Sequence, residues 1–285
     1  MSILQRAYER ILAASLVVLA PVAMLFLVIH VTWGLLVGVI LFPALPAGAR
    51  NALVQFWARI ALVLLGIRLE LTIEPNAAQP KDTLGSLLLI NHTSWSDVFV
   101  VAAVAPARFV AKSELASWPV LGRFAACVGT IFVQRGRRHA VAQVNASVAQ
   151  RLHEGQSIGV FPEGTTTDGT YLLRFHANLV QAALEANAPV IPLALQYRQG
   201  DAPSTAPAYV GDISIFESLW SILKAPRLEA RLHWLPAIAT ESRSRHAIAD
   251  AARSAIATTL RLSDHVAQEA SNGDTVSVNE DLSVL

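Results

Sequence analysis

Asn91-His92-Thr93-Ser94-Trp95-Ser96-Asp97 is a polar stretch between two apolar runs, Leu87 to Ile90 before it and Val98 to Val101 after it. A turn can bring a histidine and a carboxylate five residues apart into contact. The carboxylate then accepts from one ring nitrogen and fixes the tautomer, leaving the other nitrogen to take a proton from a bound hydroxyl. Ser94 and Ser96 are N-cap residues by type, so the stretch predicts a helix start whose first amides point at the same spot. His-x4-Asp alone is a weak signal. The residues that follow it give it weight.

Phe161-Pro162-Glu163-Gly164-Thr165-Thr166 directly follows another apolar run, Ile158-Gly159-Val160. In open α/β sheets ligands gather beyond the carboxyl ends of strands, so both polar stretches are expected to face one cleft. Glu163 would accept from substrate hydroxyls there, Gly164 would let backbone amides approach, and Thr165 would add a hydroxyl. Between Arg108 and Arg138 stand Arg108, Lys112, Arg123, Arg135, Arg137 and Arg138 against one acid, Glu114. Such clustering suits a phosphate on a lipid headgroup, a carrier or the bilayer surface. Arg135 is the best placed because it closes an apolar strand.

What is absent narrows the chemistry. There is no Gly-x-Ser-x-Gly elbow for a serine ester and no His-Glu-x-x-His pair for a metal, so direct transfer without a metal is expected. Nucleic acid is a poor partner, since no binding motif or aromatic interleaving accompanies the cations, and the net charge is only +1. Cys127 is the only cysteine, which rules out an internal disulfide.

The elements that must position these residues can be read from periodicity. Hydrophobic residues make up 53% and charged ones 15%, a balance that points to a membrane. No charge occurs from Ile11 to Ala49, and the continuous run Ile11 to Phe42 would reach roughly 48 Å as one helix. That exceeds a hydrocarbon core of about 30 Å. A tilted span and a broken hairpin are both open, with break points at Pro21, His30 to Gly34, and Pro43/Pro46. Asn51 to Gly66 reads as a helix at the lipid surface or packed on a core. Leu69 to Glu74 reads as a strand and Pro75 to Lys81 as a linker from anchor to catalytic domain.

Short apolar runs then alternate with helical stretches. Strands are expected at Leu87 to Ile90, Arg108 to Ala111, Val128 to Val133, Ser157 to Phe161, Val190 to Gln196 and Leu228 to Leu235. Helices are expected at Ala140 to His153, Phe175 to Ala186 and Glu241 to Leu262, the last with Ile248, Ala252, Ile256 and Leu260 on its buried face. The fold class is α/β, a mostly parallel sheet flanked by helices behind an apolar helical membrane anchor. The division is 1–66 anchor, 67–262 catalytic domain and 263–285 acidic mobile tail.

Together the motifs resemble the membrane-bound glycerolipid acyltransferases. Asn91 to Asp97 is similar to that family's Asn-His-x4-Asp block, and Gly129 to Gly136 to the block ending in arginine. Phe161 to Thr165 is similar to the Phe-Pro-Glu-Gly-Thr block and Val190 to Leu193 to the late proline-centred block, while Lys112-Ser113-Glu114-Leu115 resembles the segment between the first two. The resemblance implies that His92 is a general base oriented by Asp97, and that Arg135, Glu163, Gly164, Thr165 and Lys112 hold the acceptor. The implied reaction moves an acyl chain to the free hydroxyl of 1-acylglycerol 3-phosphate, giving phosphatidic acid. The implied donor is an acyl thioester of coenzyme A or acyl carrier protein, with no cofactor, at the cytoplasmic face of a membrane. The sequence departs from the pattern at Thr166, where many members that use lysophosphatidic acid carry arginine. Lyso-ornithine lipid or another lysolipid is therefore the alternative acceptor. A thioester hydrolase and a catalytically silent lipid-binding protein are rival readings of the same residues.

Overall fold

The structure, a computed structural model, describes residues 3–133 and 138–262. Arg135 and Arg137, and the acidic stretch 263–285, lie outside the described residues.

The apolar N-terminus forms one helix, α1 (Ile3–Ile40), of 38 residues. It continues unbroken through Pro21 and His30 to Gly34, so the chain does not leave the helix at either of those break points. Within it Ser15–Ile40 has a mean hydropathy of 2.4, and only 6% of its most apolar window is buried in the protein. The chain turns at Phe42–Ala44, in a short 3-10 helix, and re-enters α2 (Ala47–Leu64) after Pro46. Pro43 and Pro46 can end one helix and start another because each lacks an amide hydrogen and fixes φ.

The α2 helix buries Ala58, Ala61 and Leu62 and leaves Phe56 and Val63 exposed. Its partner is α3 (Asp97–Val104). Gln55 Nε2 donates to the Val104 carbonyl at 3.0 Å and Arg59 Nε to the Ala103 carbonyl at 3.0 Å. These are last-turn carbonyls that lack partners within their own helix, so α2 is packed on the domain rather than lying free at a surface. His30 of α1 stacks on Trp57 of α2 with ring centroids 4.6 Å apart. Each ring also bonds the other's backbone carbonyl.

After α2 come β1 (Ile67–Ile73), β2 (Leu87–Ile90), α3, β3 (Ala107–Lys112), the short helices α4 (Ser113–Ala116) and α5 (Leu121–Cys127), and β4 (Ile131–Val133). Then follow α6 (Arg138–His153), β5 (Ser157–Val160), α7 (Val180–Glu185), β6 (Val190–Gln199), β7 (Ala202–Pro203), α8 (Ile215–Lys224), β8 (Leu228–Trp234) and α9 (Arg245–Leu260). The sheet order is β1-β8-β6-β2-β5-β3-β4, with β7 hairpinned onto β6. Strands β6, β2, β5, β3 and β4 run parallel, while β1 and β8 are parallel to each other and antiparallel to β6. The expected mostly parallel sheet is present. Pro75 to Lys81 joins β1 to β2 within that one sheet, so it does not link an anchor to a separate domain.

Alternation divides the core into two layers. Leu87, Leu89, Ile158 and Val160 face α6, α7 and α9, where Val148, Val180, Ile248 and Ile256 are fully or almost fully buried. Leu88, Ile90, Leu193 and Leu195 face α2, α3 and α8, with Leu62, Val100 and Ile222 against them. A sheet covered on both faces explains the unbroken apolar runs of β2 and β5. Two expected elements are shorter than their apolar pattern. Only Ile131–Val133 of Val128 to Val133 is strand, because Val128 to Thr130 turn out of α5. Only Val180–Glu185 of Phe175 to Ala186 is helix, because Phe175 and Ala177 are buried from a loop.

Candidate active site

β2 and β5 are hydrogen-bonded neighbours, with Leu87 aligned to Ile158 and Leu89 to Val160. Their carboxyl ends therefore release Asn91-His92 and Phe161 to Thr165 side by side, which is why two motifs about seventy residues apart meet. Asn91 extends β2 by side chain. Its amide nitrogen donates to the Leu195 carbonyl at 2.8 Å and its oxygen accepts from the Leu195 amide at 2.8 Å, as a neighbouring strand would.

The next turn folds around the Asp97 carboxylate, which is fully buried. Its Oδ2 accepts from His92 Nδ1 at 2.8 Å, from the Thr93 amide at 2.8 Å and from the Ser94 amide at 2.9 Å. Its Oδ1 accepts from the Tyr197 hydroxyl at 2.8 Å. A carboxylate can only accept, so Nδ1 carries the imidazole proton and Nε2 is the nitrogen free for chemistry. The expected helix starts at Asp97, but Ser96, its N-cap residue, makes no side-chain cap bond. Ser96 Oγ is bonded instead to Ser94 Oγ at 3.0 Å and to the Tyr197 hydroxyl at 2.7 Å. The Thr93 and Ser94 amides point at Asp97 rather than at a substrate.

Glu163 also differs from expectation. It is 3% exposed, and its Oε1 accepts the His92 amide at 2.7 Å while Oε2 accepts the Leu173 amide at 2.9 Å. Both oxygens accept from backbone amides, and Glu163 is not among the residues lining the cleft that His92 faces, so in this structure it ties the histidine loop to the segment at Leu173. Burial is the main cause that raises its pKa to about 7; the two amides and Arg253 act to lower it, and the Asp97 charge adds to the rise. Arg253 of α9 donates to the Leu172 and Leu173 carbonyls and so pins the segment that carries the second amide. The Thr167 amide, 2.9 Å from the His92 carbonyl, closes the loop from the other side.

His92 opens onto a cleft of about 380 Å³. Its walls are mostly apolar, with Trp95, Phe99, Phe109, Leu115, Trp118 and Phe124 among them. The Phe161 ring stacks on His92 at 4.0 Å between centroids and fixes the plane of the imidazole. Lys112 and Gly164 also line this cleft, and Gly164 has φ of +72°, a left-handed conformation that a side chain would strain. Thr165 is exposed and lies outside the cleft wall. The Thr166 hydroxyl donates to the carbonyl of Tyr209, another cleft residue.

The sequence reading missed Tyr197. Burial, reinforced by the Asp97 charge, raises the phenol pKa well above its ordinary value, so it stays a donor. The available signal was a tyrosine within the apolar β6 run, since a buried phenol hydroxyl needs a partner.

An imidazole oriented by a buried carboxylate, facing an apolar cleft edged by Lys112, can deprotonate a hydroxyl on an amphiphile. Residues 71–196 match the model of a family described as acyltransferase. The 1-acyl-sn-glycerol-3-phosphate acyltransferase of Neisseria meningitidis is 37% identical over 183 residues, covering 64% of this chain and 72% of that protein. The lyso-ornithine lipid O-acyltransferase of Pseudomonas aeruginosa is 32% identical over 223 residues, covering 78% of this chain and 85% of that protein. Among solved structures, the 1-acyl-sn-glycerophosphate acyltransferase PlsC of Thermotoga maritima superposes with a TM-score of 0.63. It covers 89% of this chain and 96% of its own, and at 17% identity the likeness is one of fold.

Proposed function

The chain belongs to the acyltransferase family, as an enzyme of the lysophospholipid type, and we propose that it acylates the free hydroxyl of 1-acylglycerol 3-phosphate from an acyl thioester. His92 Nε2 takes the hydroxyl proton while the oxygen attacks the thioester carbonyl. The tetrahedral intermediate then collapses, expelling the thiolate of coenzyme A or acyl carrier protein. That thiolate recovers the proton from the imidazolium, and Asp97 stays ionised throughout. The products are phosphatidic acid and the free thiol.

The observation that carries this reading is the 2.8 Å contact of His92 Nδ1 with buried Asp97, set at a mostly apolar cleft of about 380 Å³. Glu163 and Tyr197 act in it as positioning residues, Lys112 and Gly164 face the acceptor, and Arg135 binds its phosphate as the motif implies. The apolar α1 helix serves as the membrane element, with the catalytic domain on the cytoplasmic face.

One observation favours a second acceptor, lyso-ornithine lipid. At the position after the Glu-Gly-Thr block stands Thr166, whose hydroxyl is already given to a carbonyl and which brings no charge to a phosphate. A matrix of purified protein with acyl-coenzyme A or acyl-carrier donors, against 1-acylglycerol 3-phosphate or lyso-ornithine lipid, separates the two. Acyl transfer to the phosphate acceptor at the higher kcat/KM is expected. Faster transfer to lyso-ornithine lipid would replace it, and thioester loss independent of any acceptor would make the protein a hydrolase.

A further inference from the structure

Three arginines gather at the far end of the parallel strands from His92, and among the described residues no acid pairs with them. Arg108 of β3 aligns with Ile158, and Ile158 with Leu87 of β2. That level is roughly 16 Å of strand short of His92. β4 pairs with β3 only from Val110 onward, so the sheet is open beside Arg108 and the Gly129 turn fills the gap. A Cβ on Gly129 would stand 2.8 Å from Arg108 Cδ, and the φ of +88° there also favours glycine.

Arg108 Nη2 donates to the Asn51 side-chain oxygen at 3.1 Å. Arg151, in the last turn of α6, reaches the Gly129 carbonyl at 3.5 Å. Arg50, in the first turn of α2, has a buried Nε with no partner. Burial first, then the neighbouring charges of Arg50 and Arg151, lower the Arg108 pKa. Among the described residues none of the three is in an ion pair, whereas Arg68 and Arg231 both pair with Glu229. Cations gathered without a counter-charge, one with an unmet buried donor, are an arrangement that an anion would complete.

We propose that Arg50, Arg108 and Arg151 form a phosphate-binding site separate from the catalytic cleft, occupied by the headgroup of an anionic lipid. Guanidinium forks arriving from three elements suit a tetrahedral phosphate, which offers oxygens in several directions, better than a flat carboxylate. Its place supports a lipid source: Arg50 stands just past the proline turn at the end of α1, where the chain leaves its long apolar helix.

The test uses full-length His92→Ala protein in neutral detergent, so no turnover intervenes. The background protein is compared with Arg108→Gln/Arg151→Gln and with Arg243→Gln/Arg261→Gln, which removes equal charge elsewhere. Binding is read by thermal shift, in detergent with inorganic phosphate alone and after reconstitution into phosphatidylcholine vesicles with and without phosphatidylglycerol. The first pair is expected to weaken binding at least about tenfold, the loss of one charge-assisted bond, and the control pair to leave it unchanged. A response to phosphatidylglycerol vesicles alone supports the headgroup; a response to inorganic phosphate as well, lost in the same variant, supports the site with a free anion as occupant. Equal binding by both paired variants, or none by the background protein to either probe, overturns it. Gly129→Ala displaces Arg108 without removing charge and is expected to weaken binding too, which keeps the test decisive if the double variant fails to fold.

Discussion

Replacing Tyr197 with phenylalanine removes one oxygen and leaves the ring that packs in the second core layer. Asp97 Oδ1 then loses its donor at 2.8 Å, while Oδ2 keeps His92 Nδ1 and two amides. A hydrogen bond to a buried charged group contributes about 1.5 to 3 kcal/mol. If that support orients the carboxylate that holds His92, its loss lowers kcat by about 10- to 150-fold, at 1.36 kcal/mol per tenfold. KM should change little, because Tyr197 is absent from the cleft wall. A structural penalty accompanies this, since an unsatisfied buried acceptor costs about 1 to 3 kcal/mol, or about 2 to 4 °C in Tm for each kcal/mol in a domain this size. The assay is steady-state transfer beside a melt. A variant that melts lower yet keeps kcat within twofold would refute the positioning role and leave Tyr197 as packing.

Other perturbations read different parts of the account. The Glu163 pKa of about 7 lies above its unfolded value near 4.5, so its stabilising contribution is complete below about pH 4.5 and is lost as pH rises through 7. Glu163→Gln should remove that slope from Tm measured between pH 5 and 8, and should also cut activity, because its NH2 would face one of the two amides that the carboxylate accepts. A parallel Tm slope in wild type and variant would contradict this. Thr166→Arg should lower KM for 1-acylglycerol 3-phosphate by about tenfold relative to lyso-ornithine lipid; an unchanged ratio would place the phosphate away from this loop. Gly34→Ala puts a methyl group 2.4 Å from Trp57 Nε1 and should destabilise the α1 to α2 contact by about 1 to 3 kcal/mol, seen as a lower Tm in detergent.

Sequence reading reached the site through pairing of motif and strand end. Leu87 to Ile90 and Ile158 to Val160 announce themselves as unbroken apolar runs because helices cover both faces. The polar residues after them then had to share one end of the sheet. Residue type could not settle which side chains face outward. Glu163 reads by type as a substrate contact, and only the fold reveals the two amides that converge on it, one from Leu173. Phe175 and Ala177 mimic a helix face although loop residues fill the core there. The arginine-rich stretch suggested a phosphate site by local count. In the fold Arg108 instead gathers with Arg50 and Arg151, each supplied by an element remote in sequence.

The most direct measurement of the central claim is the turnover of purified His92→Ala with an acyl thioester and 1-acylglycerol 3-phosphate at saturation. General-base catalysis by this imidazole predicts a kcat lower by about 10² to 10⁴, with membrane binding unaltered. Wild-type turnover in that variant would contradict the claim, and the proton would have to leave the acceptor by another route.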